Sequence, residues 1–124
     1  MPTTEKRHRE RFELARLAFI RSSKDATTVG GVLDNISPDG ASVVFHGPND
    51  DLEALLPAGL RIDLVIDDFP ALTGEVVRNE PDRVAISFGL ESRAQNELLR
   101  HILEVTAADY EDASLAGVIG EKPV

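Results

Sequence analysis

Apolar residues recur at every second position along most of this 124-residue chain up to Leu90, and at helical spacing beyond it. The alternation is plainest at Leu60–Ile66, where Leu60, Ile62, Leu64 and Ile66 share a parity, and at Arg83–Leu90, where Val84, Ile86 and Phe88 do. A period of two puts such residues on one face of a strand, the face a core can cover. Ala41, Val43 and Phe45 form a shorter run of the same kind, and Pro70–Asn79 reads as another strand. Two earlier segments are less regular. Phe12–Arg21 carries apolar residues on both parities and reads as the first strand. Thr27–Ile36, rich in β-branched residues, reads as the second, with the Gly30-Gly31 pair marking a bulge.

Turn signals separate these runs at Ser22-Ser23-Lys24-Asp25, Pro38-Asp39-Gly40, Asp67-Asp68 and Asn79-Glu80-Pro81-Asp82. In Pro38-Asp39-Gly40, proline presets φ and glycine accepts a positive φ without steric cost. Residues 48–57 read as a loop with one helical turn, capped by Asn49 or Asp50. From about Arg93 to Ala108 the period changes: Leu98, Ile102 and Val105, with Leu99 and Leu103 beside them, form a helical stripe, and Ser92 or a neighbour caps its start. Short strands at close spacing followed by one helix predict an all-β antiparallel barrel, closed or nearly so, with the helix across one opening. The division expected is a flexible N-terminal segment 1–11, a barrel-and-helix body 12–108 and a mobile tail 109–124.

Composition narrows the class. The length suits one domain with a modest core. No apolar run approaches the roughly 18–20 residues of a membrane span, so no membrane insertion is expected. The charged start, Glu5-Lys6-Arg7-His8-Arg9-Glu10-Arg11, does not read as a signal peptide. Cysteine is absent, which excludes disulfides and thiolate metal sites and makes the cytoplasm the default. The net charge of −9 is unevenly spread. Residues 1–24 hold seven Lys or Arg against three Glu, a balance of +4, while the remaining hundred hold six basic against nineteen acidic groups, a balance of −13. A small basic patch on an acidic body suits a compact anion and would repel DNA or RNA.

Two short motifs supply candidate chemistry. Arg7 and Arg11 lie four residues apart in the basic segment, and Asn35-x-Ser37-x-x-Gly40 spans the end of the second strand and its turn. A guanidinium fork matches phosphate oxygens and guanine O6 and N7, and its plane stacks on a base. Asn35 and Ser37 bring an amide and a hydroxyl, while Gly40 permits close backbone approach. The same turn residues also bond nearby backbone in many proteins. Both motifs together point to a nucleotide-binding module.

With strands and then a helix downstream, these motifs resemble the PilZ domain family, bacterial receptors for cyclic di-GMP. The family pattern is Arg-x-x-x-Arg in an N-terminal segment, followed by Asp/Asn-x-Ser-x-x-Gly after the second strand. Here the segments are Lys6-Arg7-His8-Arg9-Glu10-Arg11-Phe12 and Asp34-Asn35-Ile36-Ser37-Pro38-Asp39-Gly40-Ala41. Gly74-Glu75-Val76-Val77-Arg78 and Val84-Ala85-Ile86-Ser87-Phe88 are similar to the family's late strands, and the resemblance covers about residues 5–105. It implies a six-stranded antiparallel barrel with a C-terminal helix. It also implies cyclic di-GMP as ligand, held by Arg7, Arg11, Asn35, Ser37 and Gly40, with Lys6, His8 and Arg9 as further candidates. The implied function is that of a stand-alone receptor whose N-terminal segment becomes ordered on the ligand and signals to a protein partner in motility, exopolysaccharide or biofilm control. Lys6 stands where many members have an additional Arg, and Lys lacks the planar fork, which leaves the choice between one ligand and a stacked pair open. Asn35 is uncharged and offers guanine N–H donors its amide oxygen only.

Enzymatic candidates are weak. His8, His46 and His101 are isolated, without metal-ligand spacing. Asp50-Asp51 and Asp67-Asp68 read as solvated turn charges, and Ser42 and Ser87 lack a base. A non-enzyme without metal or cofactor is expected. The main alternative is a PilZ-like adaptor that contacts proteins in pilus assembly or motility independently of nucleotide.

Overall fold

Each alternating run becomes a strand whose apolar parity faces a common interior. The computed structural model describes residues 11–25, 27–45 and 52–121. It contains β1 (Leu17–Ser22), β2 (Thr28–Ser37), β3 (Gly40–Val44), α1 (Leu52–Leu55), β4 (Arg61–Ile66), β5 (Leu72–Glu80), β6 (Arg83–Ser87) and α2 (Ser92–Glu121). The six strands close into an antiparallel barrel in the order β1-β2-β3-β6-β5-β4, with β4 returning to β1. On β1 and β4 the period of two is clean: Ala18, Ile20, Ile62, Leu64 and Ile66 are buried, while Leu17, Phe19 and Val65 face out. Each large aliphatic chain withdrawn from water in this way stabilises the fold by about 1.5–3 kcal/mol.

Three expectations need correction. The first strand does not run unbroken from Phe12: Phe12 forms a single bridge with Ile36, and regular pairing starts at Leu17. Leu14 is buried on the same parity as Ala18 and Ile20, and the segment carries apolar residues on both parities because Ala15, Leu17 and Phe19 face outward. Nor do Gly30 and Gly31 form a bulge, since β1 and β2 pair without interruption from Leu17↔Val32 to Arg21↔Thr28. Gly31 is needed for close packing, because a Cβ there would lie 2.7 Å from the Val44 carbonyl oxygen. The bulge falls at Asp34 instead, where Leu33↔Val43 is followed by Asn35↔Ser42. A second falls at Val77, between Val76↔Ile86 and Arg78↔Ala85.

The third correction concerns α2, which continues to Glu121 rather than ending near Ala108. No proline interrupts the chain between Ser92 and Glu121, although Gly117 and Gly120 lie in the last turns. Its Leu98, Ile102 and Val105 join the buried core as the stripe predicts, while Leu103 stays 48% exposed. The short turn α1 also lies within its expected loop; the candidate caps Asn49 and Asp50 are outside the described residues.

Polar contacts lock the helix in place. Arg16 donates from Nε to Asp68 Oδ2 at 2.8 Å and from a terminal nitrogen to Asp109 Oδ1 at 2.6 Å. His101 stacks edge-on against Phe69, with ring centroids 4.9 Å apart, and its Nε2 lies 2.5 Å from the Asp68 carbonyl oxygen. The hydrogen bond from Arg16 holds the Asp109 carboxyl below its usual pKa, with the guanidinium charge adding to the effect. A depressed folded pKa contributes stability above the unfolded value, and that contribution is lost as pH falls through the folded one. Asp109→Asn should therefore lower the thermal midpoint at neutral pH, and the gap to wild type should close below about pH 4. Melting curves across that range test the clasp; a gap independent of pH would remove Asp109 from it.

Candidate functional site

The Phe12↔Ile36 bridge explains how the two motifs meet. Phe12 N donates to Ile36 O at 2.8 Å and Ile36 N returns to Phe12 O at 2.9 Å, which pins the chain beside the end of β2. Arg11, one residue upstream, then reaches the Asn35–Ser37 stretch. Its Nε donates to Asn35 Oδ1 at 2.5 Å, and its Nη1 lies 3.5 Å from Ser37 Oγ, the long limit for such a bond. Ser37 is fully buried and also accepts from Asp39 N at 3.1 Å, a local bond that shapes the turn. The turn is held from further away as well, by Phe88 N donating to Asp39 O and by Gln95 Nε2 donating to Asp39 Oδ1.

Gly40 serves a different purpose from the one the turn suggests. Among the described residues only Gly59 and Gly89 are glycines with positive φ. Gly40 sits opposite Ser87 on β6, and a Cβ on it would overlap the Ile86 carbonyl oxygen. Its side chain is excluded by the approach of the neighbouring strand.

Outside the barrel wall, β2, β3, β5 and β6 line a cleft of about 480 Å³. Arg11, Asn35 and Gly40 lie along it, together with Arg78 and Arg83, which the sequence reading did not single out. Such a volume falls within the usual range for small-molecule sites. Arg83 donates from Nη1 to Asp34 Oδ2 at 2.7 Å and lies 3.4 Å from Ser42 Oγ. Arg78 is exposed, and among the described residues no hydrogen bond or ion pair engages it. Three guanidinium groups thus line one groove of a chain whose net charge is −9. Arg78 lies in the Gly74–Arg78 strand segment, but only the Val77 bulge shows which way it points. No local signal marked Arg83.

Both bulges aim side chains into this groove. In an unbroken strand Asn35 would share the inward parity of Leu33, and Arg78 that of Val76. The extra residues Asp34 and Val77 shift the phase, so that Ile36 turns inward and Asn35 and Arg78 face the groove. Lys6, Arg7, His8 and Arg9 lie outside the described residues, as do His46 and Asp50-Asp51. Among the described residues no cluster of His, Asp or Glu could hold a metal ion. No helix among them is long and apolar enough to cross a membrane.

A sequence model of one family, the PilZ domain, matches residues 5–104. The chain belongs to the PilZ domain family. The barrel agrees with solved PilZ domains. One is described as the PilZ domain with c-di-GMP of YcgR from Escherichia coli, at a TM-score of 0.67 and 11% identity, over 88% of this chain and 97% of that one. Another is the PilZ domain of CeSA from a cellulose-synthesizing bacterium, at 0.57 and 16%, over 75% and 97%. MrkH of K. pneumonia in its apo state is similar at 0.56 and 16%, over 86% of this chain and 53% of its own length. At these identities the structural likeness concerns the PilZ fold alone. No curated protein matches the sequence.

Proposed function

We propose that this PilZ domain is a receptor for cyclic di-GMP, with the Arg11–Asn35–Ser37 cluster as the centre of its site. The observation that carries this reading is that the bridge at Phe12 brings an arginine of the first motif onto the amide and hydroxyl of the second, in a groove that Arg78 also lines. The ligand has two phosphates and two guanines. Arg11 keeps nitrogens free for phosphate oxygens or a guanine edge, Arg78 adds a second cation, and Asn35 Oδ1 and Ser37 Oγ turn to guanine N–H groups. The solved YcgR domain with c-di-GMP supports ligand binding on this fold.

Under this proposal Arg7, four residues before Arg11, closes over the ligand, with Lys6, His8 and Arg9 near it. The ordered segment then forms a surface that a cytoplasmic protein partner reads in motility, exopolysaccharide or biofilm control. The protein acts by binding and needs neither catalysis nor a cofactor. A second reading, an adaptor independent of nucleotide, draws on the outer face of β1 and β4, where Leu17, Phe19 and Val65 are 55%, 42% and 47% exposed.

Isothermal titration of the full chain with cyclic di-GMP separates the two. Saturable heat that weakens as salt rises is expected, because arginines meet phosphates. The same curve counts one ligand or two. Absence of heat at low salt would overturn the receptor reading and leave the adaptor.

A further inference from the structure

We infer that Asp34 is a positioning residue of the nucleotide site: its carboxylate turns the Asn35 amide so that Oδ1 faces the groove. The inference rests on the receptor reading for its consequence, though not for its geometry. Successive residues of a regular strand point to opposite faces, so residues 34 and 35 would not ordinarily touch. Asp34 is the extra residue of the β2 bulge, and it brings its carboxylate beside its neighbour. Asn35 Nδ2 donates to Asp34 Oδ2 at 2.8 Å, and Arg83 Nη1 holds the same oxygen at 2.7 Å from a strand 49 positions away.

The two ends of an asparagine amide are chemically opposite, one accepting and one donating. A carboxylate only accepts, so Asp34 selects the NH2 group and leaves Oδ1 on the other side. Arg11 Nε only donates and agrees with that choice, bonding Oδ1 at 2.5 Å. Guanine N1–H and its amino group are donors. An amide turned the other way would meet them with N–H against N–H. Asp34 thus presets the acceptor that the ligand needs.

The same contact accounts for asparagine at position 35, where the family pattern also admits aspartate. A carboxylate at 35 needs no orientation, since both oxygens accept. Placed at hydrogen-bonding distance from Asp34 it would form a like-charge pair, which opposes ionisation of both. Asp34 and Asn35 specify each other.

Long-range electrostatics makes the opposite prediction for this residue, because removing Asp34 removes a negative charge beside a site for a dianion. The test is a double-mutant cycle read by titration with cyclic di-GMP. Asp34→Ala should weaken binding about fivefold or more, the effect of losing one well-oriented hydrogen bond. Asn35→Asp with Asp34 in place should also weaken it. The double variant should bind within about twofold of wild type or tighter, since the lone carboxylate orients itself. Asp34→Ala binding as tightly as wild type, or a double variant no better than Asp34→Ala, would overturn the inference. If wild type binds no cyclic di-GMP, the receptor reading fails and the positioning role is decided on the free protein. There the Asn35 side-chain amide signal, assigned by its loss in Asn35→Asp, should be motionally restricted in wild type and mobile in Asp34→Ala. An amide equally mobile in both would sink the role.

Discussion

Arg11→Ala should lower cyclic di-GMP affinity by about a hundredfold, the loss of two charge-assisted hydrogen bonds at about 1.5 kcal/mol each. Folding should hardly notice. Arg11 is exposed, and its bonds to Asn35 and Ser37 stay outside the apolar core, so the thermal midpoint should stay within about 2 °C of wild type. The separation between the two effects is what makes the variant informative. A large drop in melting temperature would mean that Arg11 instead staples the chain to β2. Unchanged affinity would remove it from the site and favour the adaptor reading. Arg11→Lys restores the charge without the planar fork and should recover only part of the binding, which distinguishes bidentate recognition from simple attraction. Titration and melting curves on the three proteins decide the matter.

Gly40→Ala should have the largest effect on stability of any single methyl added to the motif. The new Cβ would overlap the Ile86 carbonyl oxygen, which belongs to the β3–β6 ladder and cannot swing aside like the end of a side chain. Relief requires the two strands to separate locally, at a cost of about 3 kcal/mol. For a domain of this size that lowers the melting temperature by roughly 10–15 °C. Gly89→Ala is the control. Gly89 has φ +63 and open space where a Cβ would go, so only backbone strain of about 1 kcal/mol is expected there. Equal effects at the two positions would show that the overlap at Gly40 is relieved without moving strands. Because β3 leads directly out of the Ser37–Asp39 turn, binding by Gly40→Ala should be measured well below its midpoint.

The parity of the core was readable in advance wherever strands are regular. Ile62, Leu64 and Ile66 on β4, and Val84 and Ile86 on β6, are buried as their spacing implies. The same holds for Leu98, Ile102 and Val105 on the helix. Element ends were less readable. Regular pairing of the first strand starts only at Leu17, although the inward parity already holds at Leu14, and α2 outlasts its apolar stripe. The glycines misled in a consistent way. Gly30, Gly31 and Gly40 read as sites of unusual backbone, yet the barrel uses Gly31 and Gly40 as places where an adjacent strand comes too close for a Cβ.

From its sequence alone, then, the chain disclosed its class and the residue types of its candidate site: arginines and an Asn-x-Ser-x-x-Gly turn on an alternating, barrel-forming pattern. Those properties depend on residue type and local period, which one dimension records. The tertiary structure alone decided which groups share the groove. The bulges at Asp34 and Val77 reverse strand parity, and they do so only where partner strands impose the register. Arg83 meets Asp34 because β3, pairing with both β2 and β6, brings residues 49 apart into hydrogen-bonding distance. A local pattern carries no record of such closure, since it is the barrel as a whole that brings the strands together.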